Sequence, residues 1–254
     1  MFFDATCETL YVTFFPMSGH SKWANIKNKK AANDKVKSAA FGKISRIITL
    51  AVIEGGGQTN PDANFKLRLA MDKARAVNMP KENIIRAIDR GHGPDSALLK
   101  ETVYEAFGPH GVAFIILCTT DNPTRTHNAV KSVIEKRGGK MGSQGSVHYL
   151  FQKCSVMQFD LSQSSEDAVF EFGQALNAYD VDEGEGKITV YFPFELFGKA
   201  KEALGALHPV VSEIEYRPVS RIAVPSEHEA RHILELSEAI EDLDEVHVVF
   251  TNLE

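Results

Sequence analysis

The sequence predicts a multidomain α+β protein, in which a small helical bundle precedes units that combine strands and helices. The chain has 254 residues, whereas one domain usually takes roughly 100 to 200. Up to residue 93, apolar residues recur at the three-to-four spacing of helices. Beyond it they also form the short runs that are typical of strands.

Three helices are expected in the first region, which predicts a three-helix bundle. A helix over 35-54 follows from the helical spacing of its apolar residues. The second is expected to start at Asn60 as its cap, with Pro61 in the first helical position. Pro80 opens the third helix, and Gly91 ends its apolar pattern.

The rest of the chain predicts alternating strands and helices. Strands are expected at 102-107, 112-118, 155-159, 187-192, 212-217 and 246-250. Helices are expected at 123-137, 166-177, 195-207 and 227-240. The part from 155 to 217 therefore has βαβαβ order, within two α/β sandwich-like units.

The charge is divided unevenly along the chain. The formal net charge is -6. Residues 17-95 contain 15 Lys or Arg against 7 Asp or Glu, whereas residues 96-254 contain 13 against 25. A segment of +8 beside one of -12 is typical of a polyanion-binding region on an acidic body, because Lys and Arg release counterions from a phosphate backbone. A basic face that is merely solvated is the alternative.

Composition and cysteine spacing favour a cytoplasmic protein without a membrane span. The composition is 43% hydrophobic and 24% charged, and no apolar run approaches the roughly 18 residues that cross a bilayer. The cysteines, Cys7, Cys118 and Cys154, lack the paired spacing of zinc or redox motifs. Residues 1-16 contain no Lys or Arg, so they lack both the basic n-region of a signal peptide and the Arg-rich character of a transit peptide. We therefore expect 1-16 to be a dispensable extension.

The segment 18-30 is the strongest candidate for contact with nucleic acid. It combines four lysines with hydrogen-bonding side chains and the only tryptophan, a mixture suited to phosphate contacts and to stacking. Trp23 can stack on a base or anchor the segment to the helical bundle, and the sequence leaves both roles open. The candidate binding residues are His20, Ser21, Lys22, Trp23, Lys27, Asn28, Lys29, Lys30, Lys35, Lys43 and Arg46.

One motif matches the H-E-x-x-H pattern of zinc proteases, at His228, Glu229 and His232. On a helix, however, both histidines fall on the side away from the apolar face. We expect an exposed helix face there and neither a metal site nor a protease.

Other catalytic patterns are equally weak. Gly139, Gly142 and Gly145 lack the Lys-Ser/Thr ending of a phosphate-binding loop and are interpreted as turns. Acidic residues alternate with glycine over 180-185, which favours a solvated loop over a catalytic carboxylate pair. The sequence therefore predicts no enzyme, no cofactor and no small-molecule substrate.

Seven segments of the chain resemble the YebC family. They are 18-30, 55-57, 78-84, 86-91, 104-113, 120-126 and 138-147. The resemblance extends from Met17 to the C-terminus. The sequence departs from the family pattern at two places. His110 stands where glycine is usual, and at 177-180 Asn-Ala-Tyr-Asp replaces Gly-Ala-Glu-Asp.

The resemblance implies three domains, the third inserted into the second. Their expected limits are 17-95 for the helical domain, 96-148 with 219-254 for the middle domain, and 149-218 for the inserted domain. The family is described as bacterial transcriptional regulators, with a mitochondrial branch that activates translation of a cytochrome oxidase subunit and relatives linked to ribosomes. It implies a DNA-binding transcriptional regulator, or alternatively a translation factor that acts on RNA or the ribosome. Neither the resemblance nor the residues predict an oligomeric state.

Overall fold

The computed structural model describes residues 34-93 and 99-254, with side chains from residue 38 onward. The described helices are α1 (Asp34–Glu54), α2 (Phe65–Ala76), α3 (Lys81–Arg90), α4 (Pro123–Lys136), α5 (Glu166–Ala175), α6 (Phe197–Ala203) and α7 (Glu227–Glu241). The strands are β1 (Lys100–Phe107), β2 (Ala113–Thr120), β3 (Lys140–Met141), β4 (Phe151–Asp160), β5 (Asp180–Gly184), β6 (Lys187–Pro193), β7 (Val211–Pro218) and β8 (Val246–Thr251). They form two four-stranded antiparallel sheets. The predicted α+β class is confirmed.

The first three helices pack around one apolar core. Its fully or nearly fully buried members are Ile44, Ile48, Ala51, Val52, Leu67, Ala70, Ala74, Met79, Ile84 and Ala87. The Thr49 hydroxyl of α1 donates a hydrogen bond to the Ala87 carbonyl of α3 over 2.8 Å. Gly91 lies against Val52 so closely that a Cβ there would be 2.6 Å from the Val52 Cβ. Only glycine therefore permits this approach of α1 and α3.

Helix α2 begins four residues later than predicted, with Asn64 and not Asn60 as its cap. The Asn64 side chain accepts a hydrogen bond from the Leu67 N–H at 3.1 Å and donates to the Ala51 carbonyl at 2.8 Å. Asn60 instead accepts from the Asp62 N–H at 3.0 Å, which closes a turn before the helix. Asn64 therefore joins the start of α2 to the end of α1.

The two asparagines provide a matched test of this cap. Asn64→Ala is expected to lower the free energy of unfolding by about 2 to 3 kcal/mol, because it removes a cap and leaves the Ala51 carbonyl without its side-chain donor. Asn60→Ala, at an exposed turn, should cost less than about 0.5 kcal/mol. Urea unfolding of both variants measures the difference. Equal losses for both would contradict the assignment of Asn64 as the cap.

The middle domain is a sheet of order β3-β1-β2-β8. Helices α4 and α7 cover one face, with Ile134 and Ile240 packed in the same core as Phe114 of β2. The opposite face carries Ile115 of β2, which packs in a core with Tyr216 of β7. Because both faces are covered, β2 is buried along its whole length.

The inserted domain has βαββαβ order and not the predicted βαβαβ. Its sheet order is β5-β6-β4-β7, which is the ferredoxin-like arrangement. The additional strand is β5, in the acidic stretch that was expected to be a loop. Glu185 and Gly186 join β5 to β6, and both have the positive φ of a tight hairpin turn. The exposed acidic side chains of β5 lie at the edge of the sheet, where charge is tolerated.

A chain of five aromatic rings connects the inserted domain to the helical domain. The successive centroid distances are 5.2 Å from Phe159 to Phe172, 5.9 Å to Phe192, 6.4 Å to Phe197 and 5.6 Å to Phe65 of α2. We call these residues the ring chain. Because α6 carries Phe197, this short helix contributes a contact between the two domains.

One carboxylate fixes the segment that leads into the inserted domain. The Glu105 side chain of β1 accepts hydrogen bonds from the N–H groups of Gly145 (2.7 Å), Val147 (2.7 Å) and His148 (3.0 Å). Burial by itself raises the pKa of Glu105, but these three donors outweigh it, so the pKa lies below its ordinary value of 4.5. A charged Glu105 therefore holds this segment in place.

The inserted domain leaves and rejoins the middle domain at one place. The Val219 N–H donates to the Leu150 carbonyl over 2.8 Å, directly beyond β7 and directly before β4. We propose that the three domains have the limits expected from the sequence, namely 17-95, 96-148 with 219-254, and 149-218.

Candidate nucleic-acid interface

Most of the predicted binding residues lie outside the described residues. These are His20, Ser21, Lys22, Trp23, Lys27, Asn28, Lys29 and Lys30. Lys35 belongs to α1, but its side chain is likewise outside the described part. Contact of these residues with nucleic acid stays a prediction.

Lys43 and Arg46 are described, and their contacts are intramolecular. The Lys43 ammonium donates to the Glu241 carbonyl, and the Arg46 guanidinium donates to the Asp244 carbonyl. Glu241 is the last residue of α7, where the helix dipole favours cations, and Asp244 lies in the turn that follows the helix. The two side chains therefore connect the helical domain to the middle domain, and their predicted contact with nucleic acid stays a prediction.

The charge division predicted from the sequence corresponds to separate parts of the fold. In the described helical domain, residues 34-93, eleven Lys or Arg stand against six Asp or Glu, a net +5. Residues 99-254 contain 13 against 25, a net -12. The described helices therefore carry a net positive charge, and the two sheet domains carry a net negative charge.

Two cations on α3 are not among the binding residues predicted from the sequence. Arg86 and Arg90 are exposed, and neither forms an ion pair with a carboxylate in the described ranges. They lie four residues apart, so their side chains share one face of the helix. That spacing is the signal that could have identified them.

These arginines border a cleft between α1 and α3 of about 610 Å³, a volume within the usual range for small-molecule sites. The α1 side contributes Phe41, Gly42 and Ser45. Gly42 lies inside the helix, where glycine costs roughly 0.5 to 1 kcal/mol relative to alanine. A Cβ at Gly42 would have no atom within 4 Å, so this glycine leaves open space in the cleft.

The zinc-protease pattern lies on α7 as expected from its helical spacing. His228 and His232 are exposed. The Glu229 carboxylate lies 3.1 Å from Nε2 of His110. His110 has a φ of 59°, a left-handed conformation that favours glycine. The motif therefore contributes a contact between α7 and the turn after β1.

Two ionisable groups with shifted pKa values lie near the contact between the helical domain and the sheets. The pKa of His247 is lowered to about 3, mainly because burial disfavours the charged imidazole and further because of the charges of Lys73 and Lys43. The pKa of Glu215 is raised to about 8, mainly because burial disfavours the charged carboxylate and further because of the charge of Glu213. Lys73 and Glu213 themselves form a 3.2 Å ion pair. The shifts thus arise where domains pack, and structural packing is sufficient to explain them.

The described part of the chain was predicted to have no metal site and no membrane span. Residues 34-93 and 99-254 contain no group of three or more His, Cys, Asp or Glu arranged to hold a metal ion. In the same ranges, no helix is both long enough and apolar enough to span a bilayer. Cys118 and Cys154 are free and buried thiols, and burial raises the pKa of Cys118 to about 12.

Comparison with known proteins identifies one family that matches most of the chain. Residues 21-94 match the TACO1/YebC protein N-terminal domain, and residues 99-253 match the TACO1/YebC second and third domain. A probable transcriptional regulatory protein of Amoebophilus asiaticus is 39% identical, covering 93% of this chain and 98% of its own. A protein of the same description from Borrelia turicatae is 40% identical, covering 94% and 98%.

A solved structure supports the same conclusion. The crystal structure of a conserved hypothetical protein from Aquifex aeolicus superposes with a TM-score of 0.78 at 35% identity. The alignment covers 92% of this chain and 97% of that one. The chain therefore belongs to the TACO1/YebC family.

Proposed function

We propose that the chain is a non-catalytic regulator that binds nucleic acid through its helical domain, with DNA in transcriptional control as the first candidate target. The observation that carries this proposal is the charge division, in which a +5 helical unit is joined to sheet domains of -12. Such a protein can approach a polyanion only with its helices first. The names of the relatives, probable transcriptional regulatory proteins, support the regulatory role. We assign the protein to the cytoplasm, where nucleic acid is accessible.

RNA, alone or in the ribosome, is the second candidate target. The cleft between α1 and α3 favours it, because a concave site accepts an unpaired base more readily than the edges of a closed duplex. The acidic sheet domains would then face away from the RNA.

The test is the triple variant Lys27→Ala, Lys29→Ala and Lys30→Ala. If all three lysines neutralise phosphates, the slope of log affinity against log salt should flatten by about 2.7 on duplex DNA. On single strands the expected change is about 2. Fluorescence anisotropy on duplex DNA and single-stranded RNA, with sedimentation on ribosomes, measures both affinity and slope. The target that the unchanged protein binds most tightly at physiological salt is the preferred partner.

A matched control is available on the middle domain. Lys131, Lys136 and Lys140 are exposed, and changing them to alanine removes the same charge from an acidic domain. This control should leave the slope nearly unchanged. If the two triple variants bind all three targets equally well, the lysine segment is not the binding site.

A further inference from the structure

The cleft between α1 and α3 is a concave recess of about 610 Å³. Thr49 and Ala87 hold the two helices together by a 2.8 Å hydrogen bond, and the cleft lies beside that contact. Gly42 keeps its α1 wall open. A base that is paired within a duplex presents only its edges, whereas an unpaired base can enter a recess of this kind.

The α3 wall of the cleft supplies two guanidinium groups. Arg86 is held along the helix by a 3.3 Å hydrogen bond to the Glu82 carbonyl and by the Asn83 side chain. Arg90 similarly donates to the Arg86 carbonyl at 3.4 Å. These contacts occupy only part of each guanidinium, and the remaining N–H donors face no carboxylate within ion-pair distance among the described residues. Such donors suit a phosphodiester oxygen.

The other lining residues favour a whole nucleotide over an inorganic anion. Phe41 provides a partly buried aromatic wall on α1. Asp89, which lies between the two arginines in the sequence, also lines the cleft. A carboxylate repels a free phosphate ion, but it can accept a hydrogen bond from a base amino group or a sugar hydroxyl.

We propose that this cleft binds one unpaired nucleotide of a single-stranded nucleic acid, with its phosphate on Arg86 and Arg90 and its base towards Phe41. This inference rests on the proposed function and names a site for it within the described residues.

Two variants of the full chain test the cleft, one through charge and one through shape. Arg86→Ala with Arg90→Ala should weaken binding of a single-stranded oligonucleotide about tenfold or more and flatten its salt slope by about 1.4. Gly42→Gln fills the cleft without changing charge. It should also weaken single-strand binding about tenfold, with the salt slope and duplex affinity unchanged. Anisotropy titrations with RNA and DNA strands of one sequence, and with the corresponding duplex, provide the readout.

The controls separate the cleft from general electrostatics. Arg68→Ala with Arg75→Ala removes the same charge from α2, outside the cleft, and Gly42→Ala adds only a methyl group. The inference is overturned if the two double-arginine variants lose single-strand affinity equally, or if Gly42→Gln binds single strands like the unchanged protein. Thermal melting of each variant verifies that it is folded.

The outcomes also distinguish this inference from the proposed function. If the unchanged protein binds none of the nucleic acids, the proposed function fails. A second outcome is that the unchanged protein binds and the triple lysine variant has lower affinity, while the cleft variants have the same affinity as their controls. In that case only the assignment of the cleft is wrong.

Discussion

Glu105→Gln is expected to lower the free energy of unfolding at neutral pH by about 3 kcal/mol or more. The carboxylate accepts three backbone hydrogen bonds, and bonds to a charged group contribute about 1.5 to 3 kcal/mol each. Glutamine retains one oxygen and places an N–H group against the remaining backbone donors. Urea unfolding measures the loss, and Glu101→Gln on the exposed part of the same strand is the matched control. A loss no larger than that of the control would show that Glu105 does not hold the segment.

The loss for Glu105→Gln should depend on pH. Because the pKa of Glu105 in the folded protein lies below 4.5, its charged form stabilises the fold fully at higher pH. That stabilisation disappears as the pH falls through the lowered pKa. The difference between the unchanged protein and the variant should therefore shrink below pH 4.5. A difference that stays constant into acid would contradict the charged state of Glu105.

Phe192→Ala is expected to cost about 3 to 5 kcal/mol, the usual range for a buried phenylalanine. Phe192 is fully buried and lies between Phe172 and Phe197 in the ring chain. Its removal leaves a cavity in the inserted domain. Thermal and urea unfolding measure the effect, with Tyr149→Ala as a control because Tyr149 is 72% exposed.

Phe65→Ala separates the stability of the inserted domain from its contact with the helices. Phe65 is half-buried and ends the ring chain on α2. We expect a smaller loss of stability than for Phe192→Ala, together with faster hydrogen exchange in α2. If Phe65→Ala leaves exchange in α2 unchanged, the ring chain does not couple the two domains.

Much of the fold could be predicted because it depends on local patterns. Helical spacing identified α1, α4 and α7 within a few residues, and short apolar runs identified the central strands. The cap of α2 was missed because Asn60 and Asn64 are both suitable caps in sequence. Only the contact of Asn64 with the Ala51 carbonyl distinguishes them. Strand β5 was missed because acidic residues are rare in strands, and its pairing with β6 outweighs that preference.

The candidate site was harder to predict because it depends on distant contacts. Lys43 lies on the polar side of α1, and sequence cannot distinguish a solvated lysine from one that binds a carbonyl 198 residues away. The spacing of Arg86 and Arg90 was visible in the sequence. Their position beside Phe41 and Gly42 depends on the packing of α3 on α1.

The interruption of the middle domain also sets the order in which the chain can fold during synthesis. Strand β8 pairs with β2, so that Phe114 faces Thr251, and the whole inserted domain is made between them. The inserted domain is continuous from β4 to β7 and can fold as soon as it emerges. Residues 219-254 take roughly 2 to 7 seconds more at ordinary rates of translation. During that interval the nascent chain carries β2 with one edge unpaired, and such an edge can pair with other chains.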